Sequence, residues 1–262
     1  MSGSVSFDRA ADHYDRTRAI SDHAMGRTVD LLASELEGRD HVLEVGVGTG
    51  LLALRLHEAG IPITGLDLSE PMLAKLVQKT GREPPFPLVL ADATRLPFAD
   101  RTFDGAYLRW VLHLISDWRA ALAEMARVVR PGGVLLVCLG VFDEASAAIR
   151  ARFTKITGIS TDPVGLMWGE HETLDEELER GGATLRVLPA IREEQRETLG
   201  DYLDDIEEGR WSWTWHVPDE VRRDAARALR PWTEERFGSL HGVHRHKVET
   251  IWRAYDLPNA DR

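Results

Sequence analysis

The sequence predicts a doubly wound α/β fold, a largely parallel sheet with helices on both faces. Over the first two-thirds, short apolar runs of the kind that form buried strands alternate with helix-like patterns. Strands and helices alternating at this spacing imply right-handed crossovers and a parallel sheet. Of the 262 residues, 43% are hydrophobic and 29% charged, a globular balance rather than a disordered one. A chain of this length buries roughly 73% of its unfolded surface, enough for one sizeable core.

The elements follow in order. His41–Val45 is an apolar run that stops at glycines and reads as the first strand. A helix from Leu51 to Ala59 ends at Gly60, and residues 61–66 form a second strand, with Pro62 near its start. Ser69 caps the next helix, Pro71 sits in its first turn, and Met72 to Lys79 fills it. Leu88–Leu90 and Phe103–Leu108 are the third and fourth strands. Ser116–Val129 is helical, and Pro131-Gly-Gly breaks it before a fifth strand, Val134–Leu139. Beyond Gly140, helices are expected over 142–157, 173–180, 198–208 and 218–229. A sixth strand is expected over 183–191 and a terminal seventh over 247–255. The reading is a single domain over 1–262. It has an N-terminal helical segment at 1–38, a core at 39–140, and a C-terminal part at 141–262 that carries an insertion at about 192–244.

Composition excludes several classes. The net charge is −11, and residues 170–208 alone hold 14 acidic and 4 basic side chains. Phosphate backbones repel such a surface, so no nucleic-acid partner is expected. The one cysteine, Cys138, rules out an intrachain disulfide and a cysteine zinc cage. No apolar run approaches the roughly 18 residues a membrane span needs, so no membrane insertion is expected. The N-terminus lacks a basic segment followed by an apolar one, and the expected location is cytoplasmic.

The strongest chemical signal is Val42-Leu-Glu-Val-Gly-Val-Gly-Thr-Gly50, followed directly by a helical run. Gly46, Gly48 and Gly50 permit a tight strand-to-helix turn and let a ligand approach the backbone without a Cβ in the way. The N–H groups of the following helix point at that ligand. Asp67 ends the second strand, placed to accept hydrogen bonds from two ribose hydroxyls or, alternatively, to complement the dipole of the next helix. Asp92 follows the third strand, where it either accepts from the exocyclic amine of a base or closes an Asx turn.

These blocks resemble the class I S-adenosylmethionine-dependent methyltransferases, and within them the small-molecule branch that includes the ubiquinone and menaquinone biosynthesis enzymes. The resemblance spans about Phe7 to Leu139. It rests on Val42–Gly50, Leu66-Asp-Leu-Ser-Glu-Pro-Met-Leu73, Ala91-Asp-Ala-Thr-Arg-Leu-Pro-Phe98, residues 103–114 and Arg127-Val-Val-Arg-Pro-Gly-Gly133. It implies a Rossmann-like sheet of seven strands, mostly parallel with the last antiparallel, a helical N-terminal lid, and an insertion between strands six and seven. It also implies methyl transfer from S-adenosylmethionine to a small-molecule acceptor by in-line displacement.

Residue by residue, the resemblance implies that Glu44 and the glycines line the methionine part of the cofactor. Asp67 would hold the ribose, with Leu68 and Met72 against the adenine, Asp92 at its amine and Ala93 at its ring. Arg109 would sit beside the cofactor's amino-acid part, where the family usually has a small residue, or would face the substrate instead. In the lid, Tyr14 would lie over the cofactor and Arg18 would pair with its carboxylate; alternatively, this helix only covers a sheet edge.

Other features rank lower. Tyr14, His113 and His216 are candidate bases that the sequence does not order, and Tyr202 is a further one. Cys138 reads as core packing. His241, His244, His246 and Glu249 resemble ligand spacing but lack an evident supporting shell, so no metal is expected. Trp211, Trp213 and Trp215 would share one face of an extended segment, walling a substrate pocket or packing the insertion. Two rival functions stand beside methyl transfer. One is a cofactor-binding protein without turnover. The other is a nicotinamide-dependent oxidoreductase, since Gly48, Gly50 and Ala53 fit G-x-G-x-x-A with Asp67 nineteen residues beyond Gly48. No Tyr-x-x-x-Lys pair supports the oxidoreductase reading.

Overall fold

The computed structural model describes residues 3–18, 20–140 and 143–260, apart from the side chain of Arg18. A 3-10 turn at Asp8–Ala10 leads to the short helix α1 (Tyr14–Arg18) and then α2 (Asp22–Glu35), where Ser21 Oγ accepts the Ala24 N–H at 3.1 Å. The core then runs β1 (Val42–Val45), α3 (Ala53–Glu58), β2 (Ile63–Asp67), α4 (Glu70–Lys79), β3 (Leu88–Leu90), β4 (Phe103–Arg109), α5 (Trp118–Val128) and β5 (Val129–Cys138). After it come α6 (Glu144–Thr157), α7 (His171–Arg180), β6 (Thr184–Val187), β7 (Ile191–Thr198), α8 (Leu199–Glu207), α9 (Asp219–Phe237), β8 (Val243–Thr250) and β9 (Arg253–Asp256).

Seven strands form one sheet in the order β3-β2-β1-β4-β5-β9-β6. Neighbours among β1 to β5 are parallel, and β9 runs antiparallel to both β5 and β6. This is the α/β class with an antiparallel last strand that the sequence predicts. The order reverses between β1 and β4, the switch point where open parallel sheets bind ligands. Alternate residues feed opposite faces. Val42, Tyr107, Leu136 and Trp252 pack on one side, and Leu43, Val45, Leu108 and Leu135 on the other, all 1% exposed or less.

The chain divides into two compact units. One comprises Met1–Gly140, Val164–Ile191 and Thr250–Arg262, and contains the seven-stranded sheet; the other comprises Val141–Pro163 and Arg192–Glu249. The second unit holds α6, α8, α9 and most of the two-stranded β7–β8 sheet. No helix among the described residues is long and apolar enough to cross a membrane.

Several boundaries differ from expectation. The run expected as one strand over 183–191 ends at Val187, and Ile191 begins a separate strand in the small sheet. The segment expected as a terminal strand over 247–255 is likewise split between β8 and β9. The helix opened by Pro218 does not stop at Leu229: α9 continues through Pro231 to Phe237, although an internal proline removes one ladder hydrogen bond. The Pro131-Gly-Gly segment does not end the preceding chain before a new strand; it lies inside β5, whose register with β4 jumps between Phe103 and Gly105. The helix after the glycine turn begins at Ala53, not Leu51.

One buried carboxylate fixes the base of β1. Asp104, on β4, accepts the N–H groups of Asp40 and His41 at 2.6 and 3.1 Å and pairs with Arg130 at 2.9 Å, while 6% exposed. Replacing it leaves two backbone donors unpaired. Asp104→Ala is expected to lower unfolding free energy by about 2–4 kcal/mol in urea titration; a loss below about 1 kcal/mol contradicts this role.

Candidate functional site

β1 carries Glu44 and then the glycine turn to the carboxyl edge of the sheet, between β2 and β4. Gly46, Gly48 and Gly50 have φ of 77°, 54° and 79°, so side-chain-bearing residues are strained at each. Their surroundings differ. A Cβ on Gly46 would fall 2.4 Å from Val111 Cγ2, and one on Gly50 would fall 2.8 Å from Leu76 Cγ. Packing therefore supplies a reason for these two glycines besides ligand approach. Beside Gly48 the nearest atoms are Met72 Cε at 3.2 Å and Tyr14 Cε1 at 3.9 Å. The turn, the helix after β2 and the N-terminal segment thus converge on one backbone position.

Asp67 locks this arrangement. Its Oδ2 accepts the Gly48 N–H at 2.7 Å and its Oδ1 the Ser69 N–H at 2.8 Å. Burial raises its pKa, partly offset by the backbone hydrogen bonds from Ser69, Gly48 and Leu68. A carboxylate offers about four acceptor positions, so these three backbone bonds leave about one for a ligand's hydroxyl. Ser69 itself caps α4, accepting the Met72 N–H at 3.3 Å. Leu68 beside it is half-buried.

Glu44 lies directly opposite Tyr107 in the β1–β4 register, and Tyr107 Oη donates to its Oε2 at 2.8 Å. Burial pushes the Glu44 carboxyl up to about 8, against the opposing effects of the Tyr107 hydroxyl and the Arg109 charge. Arg109 ends β4 with its guanidinium 3.7 Å over the Trp110 ring; its buried Nε and Nη2 have no hydrogen-bond partner among the described residues. Trp110 has φ 57°, a left-handed conformation unusual for so large a residue, and its N–H donates to the Cys138 carbonyl at 2.9 Å.

Asp92 closes the Asx turn weighed in the sequence: its Oδ1 accepts both the N–H and the hydroxyl of Thr94 at 2.9 Å. Ala93 is buried, 7% exposed, in the core under this turn. The N-terminal segment is tethered to the site by charge. Asp15 on α1 hydrogen-bonds to the Thr49 hydroxyl and pairs with Lys79 at 2.5 Å, and Lys79 also donates to the Thr49 carbonyl at 2.8 Å. Tyr14 meets Phe7 edge-on at 5.9 Å. The side chain of Arg18 lies outside the described residues.

Sequence reading missed Tyr107, Asp15, Thr49 and Lys79. A tyrosine inside an apolar strand was the available signal, because a buried hydroxyl needs a partner. The Asp15–Lys79 pair joins distant segments and had none.

The candidate bases occupy different units. His113 sits in the 3-10 turn after β4, its ring 5.4 Å from Trp168. His216 belongs to the second unit, where its Nε2 meets the Ser160 carbonyl at 2.6 Å. That nitrogen must carry the proton, since a carbonyl only accepts. Burial raises the Tyr202 phenol above its ordinary range, which disfavours it as a ready base. Burial likewise pushes the Cys138 thiol up to about 11, consistent with inert packing.

The tryptophans do not form the expected extended face, because Ser212–Thr214 is a 3-10 turn. Trp213 packs edge-on against Phe153 at 5.2 Å, Trp211 lies 5.2 Å from Tyr202, and Trp215 Nε1 donates to the Gly209 carbonyl at 2.9 Å. Glu249 pairs with Arg192 at 2.5 Å, and His241 is exposed in a turn, so neither joins the ligand group the spacing suggested.

A doubly wound sheet with a glycine turn after β1 and a carboxylate ending β2 defines a nucleotide-cofactor-binding α/β protein. Residues 43–137 match the family described as methyltransferase domain. The demethylmenaquinone methyltransferase of Corynebacterium kroppenstedtii is 31% identical over 195 residues, covering 67% of this chain and 83% of the relative. That of Mycobacterium sp. (strain KMS) is 37% identical over 135 residues, and there the chain spans 56% of the relative. Among solved structures, the YcgJ protein from Bacillus subtilis superposes with TM-score 0.59 at 19% identity, covering 92% of this chain and all of the other. The [4+2]-cyclase SpnF superposes with TM-score 0.56 at 24% identity, covering 93% and 85%. At such identities these two likenesses bear on the fold alone. The chain belongs to the class I S-adenosylmethionine-dependent methyltransferases, and its relatives include enzymes of quinone biosynthesis.

Two predictions follow from the geometry. Gly46→Ala is expected to cost about 2–4 kcal/mol of stability, from left-handed strain plus overlap with Val111. The cost should fall when it is introduced into Val111→Ala; equal costs in both backgrounds in urea titration exclude the overlap. The raised Glu44 pKa means that the folded state binds a proton the unfolded chain releases above its ordinary carboxyl value of 4.5. This group's contribution to stability is therefore fully present below about 4.5 and is lost as pH rises toward 8. Thermal unfolding of wild type and Glu44→Gln should show the variant gaining on wild type between pH 5 and 8; parallel pH profiles contradict the assignment.

Proposed function

We propose that this chain binds S-adenosylmethionine at the β1–β2–β4 edge and transfers its methyl group to a small-molecule acceptor. The observation that carries the reading is the junction at Gly48, whose N–H is held by Asp67 while Met72 and Tyr14 flank it. The residues present fit the cofactor. Asp67 retains acceptor capacity for a ribose hydroxyl, and the apolar surfaces of Leu68 and Met72 suit an adenine. Glu44 offers a buried carboxyl for the ammonium. The unpartnered nitrogens of Arg109 offer a half-buried cation for the carboxylate, a role Arg18 would share. Asp92 would take the adenine amine, and Ala93 would meet the ring.

When bound, the cofactor supplies an activated methyl group on a sulfonium. The chain's part is to orient an acceptor in line and exclude water. Tyr14, tethered through Asp15, Thr49 and Lys79, serves as part of that cover. The Tyr107 hydroxyl holds Glu44 in place. Where the acceptor must lose a proton, His113 and Tyr14 are the candidate bases in the same unit as the glycine turn, with His216 as an alternative. The relatives named demethylmenaquinone methyltransferases make a quinone precursor the first acceptor to assay.

A second reading is cofactor binding without methyl transfer, since a fold does not fix the reaction. Calorimetric titration with S-adenosylmethionine, S-adenosylhomocysteine and NADH separates the readings. The expected result is micromolar binding, about 8 kcal/mol, of the first two only. Binding of NADH alone overturns the proposal, and cofactor binding without turnover across an acceptor panel favours the second reading. Asp67→Ala should weaken S-adenosylmethionine binding by about 1.5–3 kcal/mol, and Gly48→Val should abolish it in a folded protein.

A further inference from the structure

The two-stranded sheet of the second unit has an unusual inner face. Along β7, residues 192, 194 and 196 are exposed while 193, 195 and 197 are half-buried; along β8, residues 243, 245, 247 and 249 are exposed while 244, 246 and 248 are half-buried. The exposed face is laced with ion pairs, Arg192–Glu249 at 2.5 Å, Arg196–Glu194 at 3.0 Å and Arg245–Glu194 at 3.6 Å. A half-buried face ordinarily carries apolar side chains. Here it carries Glu193, Gln195 and Glu197 on one strand and His244, His246 and Val248 on the other, so five of the six are polar.

The two imidazoles, two residues apart on one strand, stack at 5.6 Å with a 29° interplanar angle. Asp143 meets them from another segment. Its Oδ1 caps α6 by accepting the Ala145 and Ser146 N–H groups at 2.9 and 3.2 Å, which orients the carboxylate, and lies 3.9 Å from His244 Nε2. Glu197 Oε1 lies 3.8 Å from His246 Nδ1, a buried nitrogen that makes no hydrogen bond among the described residues. One ligand atom each from Asp143, His244 and His246 lies within 4.8 Å of the others. Metal bonds of about 2.0–2.2 Å hold ligand atoms roughly 3–4 Å apart, so small side-chain rotations close the set.

We propose that Asp143, His244 and His246, with Glu197 as fourth ligand, bind one divalent transition-metal ion of the zinc class. Two imidazole nitrogens with carboxylates form a donor set that suits zinc or iron(II) and is poor for magnesium, which prefers an all-oxygen octahedron. The ion crosslinks the start of α6 to β7 and β8, joining the two sequence segments of the second unit. It stands independently of the methyl-transfer reading.

The test uses the full chain, stripped with a chelator and desalted. Titration with zinc chloride by calorimetry should show one site per chain, and zinc should raise the melting temperature. His244→Gln and His246→Gln should each weaken binding at least about tenfold. His241→Gln, outside the cluster, should bind as wild type does. Circular dichroism of the metal-free variants separates lost ligation from lost folding. Absence of zinc binding overturns the proposal, as does wild-type affinity in His244→Gln and His246→Gln, loss in His241→Gln alone, or magnesium binding as tight as zinc.

Discussion

The Asp67 carboxylate is the constraint on which the site depends. A parallel sheet brings the ends of β1 and β2 side by side, but nothing in strand pairing fixes the turns that leave them. Asp67 does so through hydrogen bonds to the glycine turn and to the turn that starts α4. The left-handed glycines let the backbone N–H at 48 point back toward β2; the short Asp side chain reaches it; and Ser69, set by the same carboxylate, caps the helix that carries Met72. Each part is ordinary, and together they hold a backbone donor, an apolar wall and an acceptor group in fixed relation.

Electrostatics then divide the first unit's site into unlike halves. On the β2 side, carboxylate oxygens face backbone N–H groups. On the β4 side, a buried carboxyl is held by a phenol near a guanidinium whose buried Nε and Nη2 have no hydrogen-bond partner among the described residues. Under the proposed function, a zwitterionic amino-acid moiety would match the second half, bringing a cation for Glu44 and an anion for Arg109. The departure from a small residue at 109 adds a half-buried cation to this edge.

Much of the core was legible because its signals are local. Apolar runs ending in glycine or aspartate mark β1 and β2, and Ser69 and Pro71 mark the helix after them. What was not legible arises from tertiary context. Strands β6 and β9 are shorter than their apolar patterns because β7 and β8 pair with each other and draw the chain away at Ile191 and Thr250. The helix through Pro231 outlasts its breaker. The tryptophan alternation looked like a strand but folds as a 3-10 turn, its indoles packed against Phe153 and Tyr202. Asp143 could not be linked to His244 and His246 by spacing, since the residues meet only when α6 and β8 are assembled.

The strand order also has a consequence for how the molecule is made. Among the described residues β6 pairs with β9 alone, and β9 is wedged between β6 and β5. On a ribosome, β6 emerges before the whole of residues 192–249, while its one neighbour emerges after them. β5 and β6 therefore both lack this neighbour while residues 192–249 are made. β9, four residues long, then fills the slot between them. The fully buried Trp252 and Tyr255 seal that slot from opposite faces of the sheet.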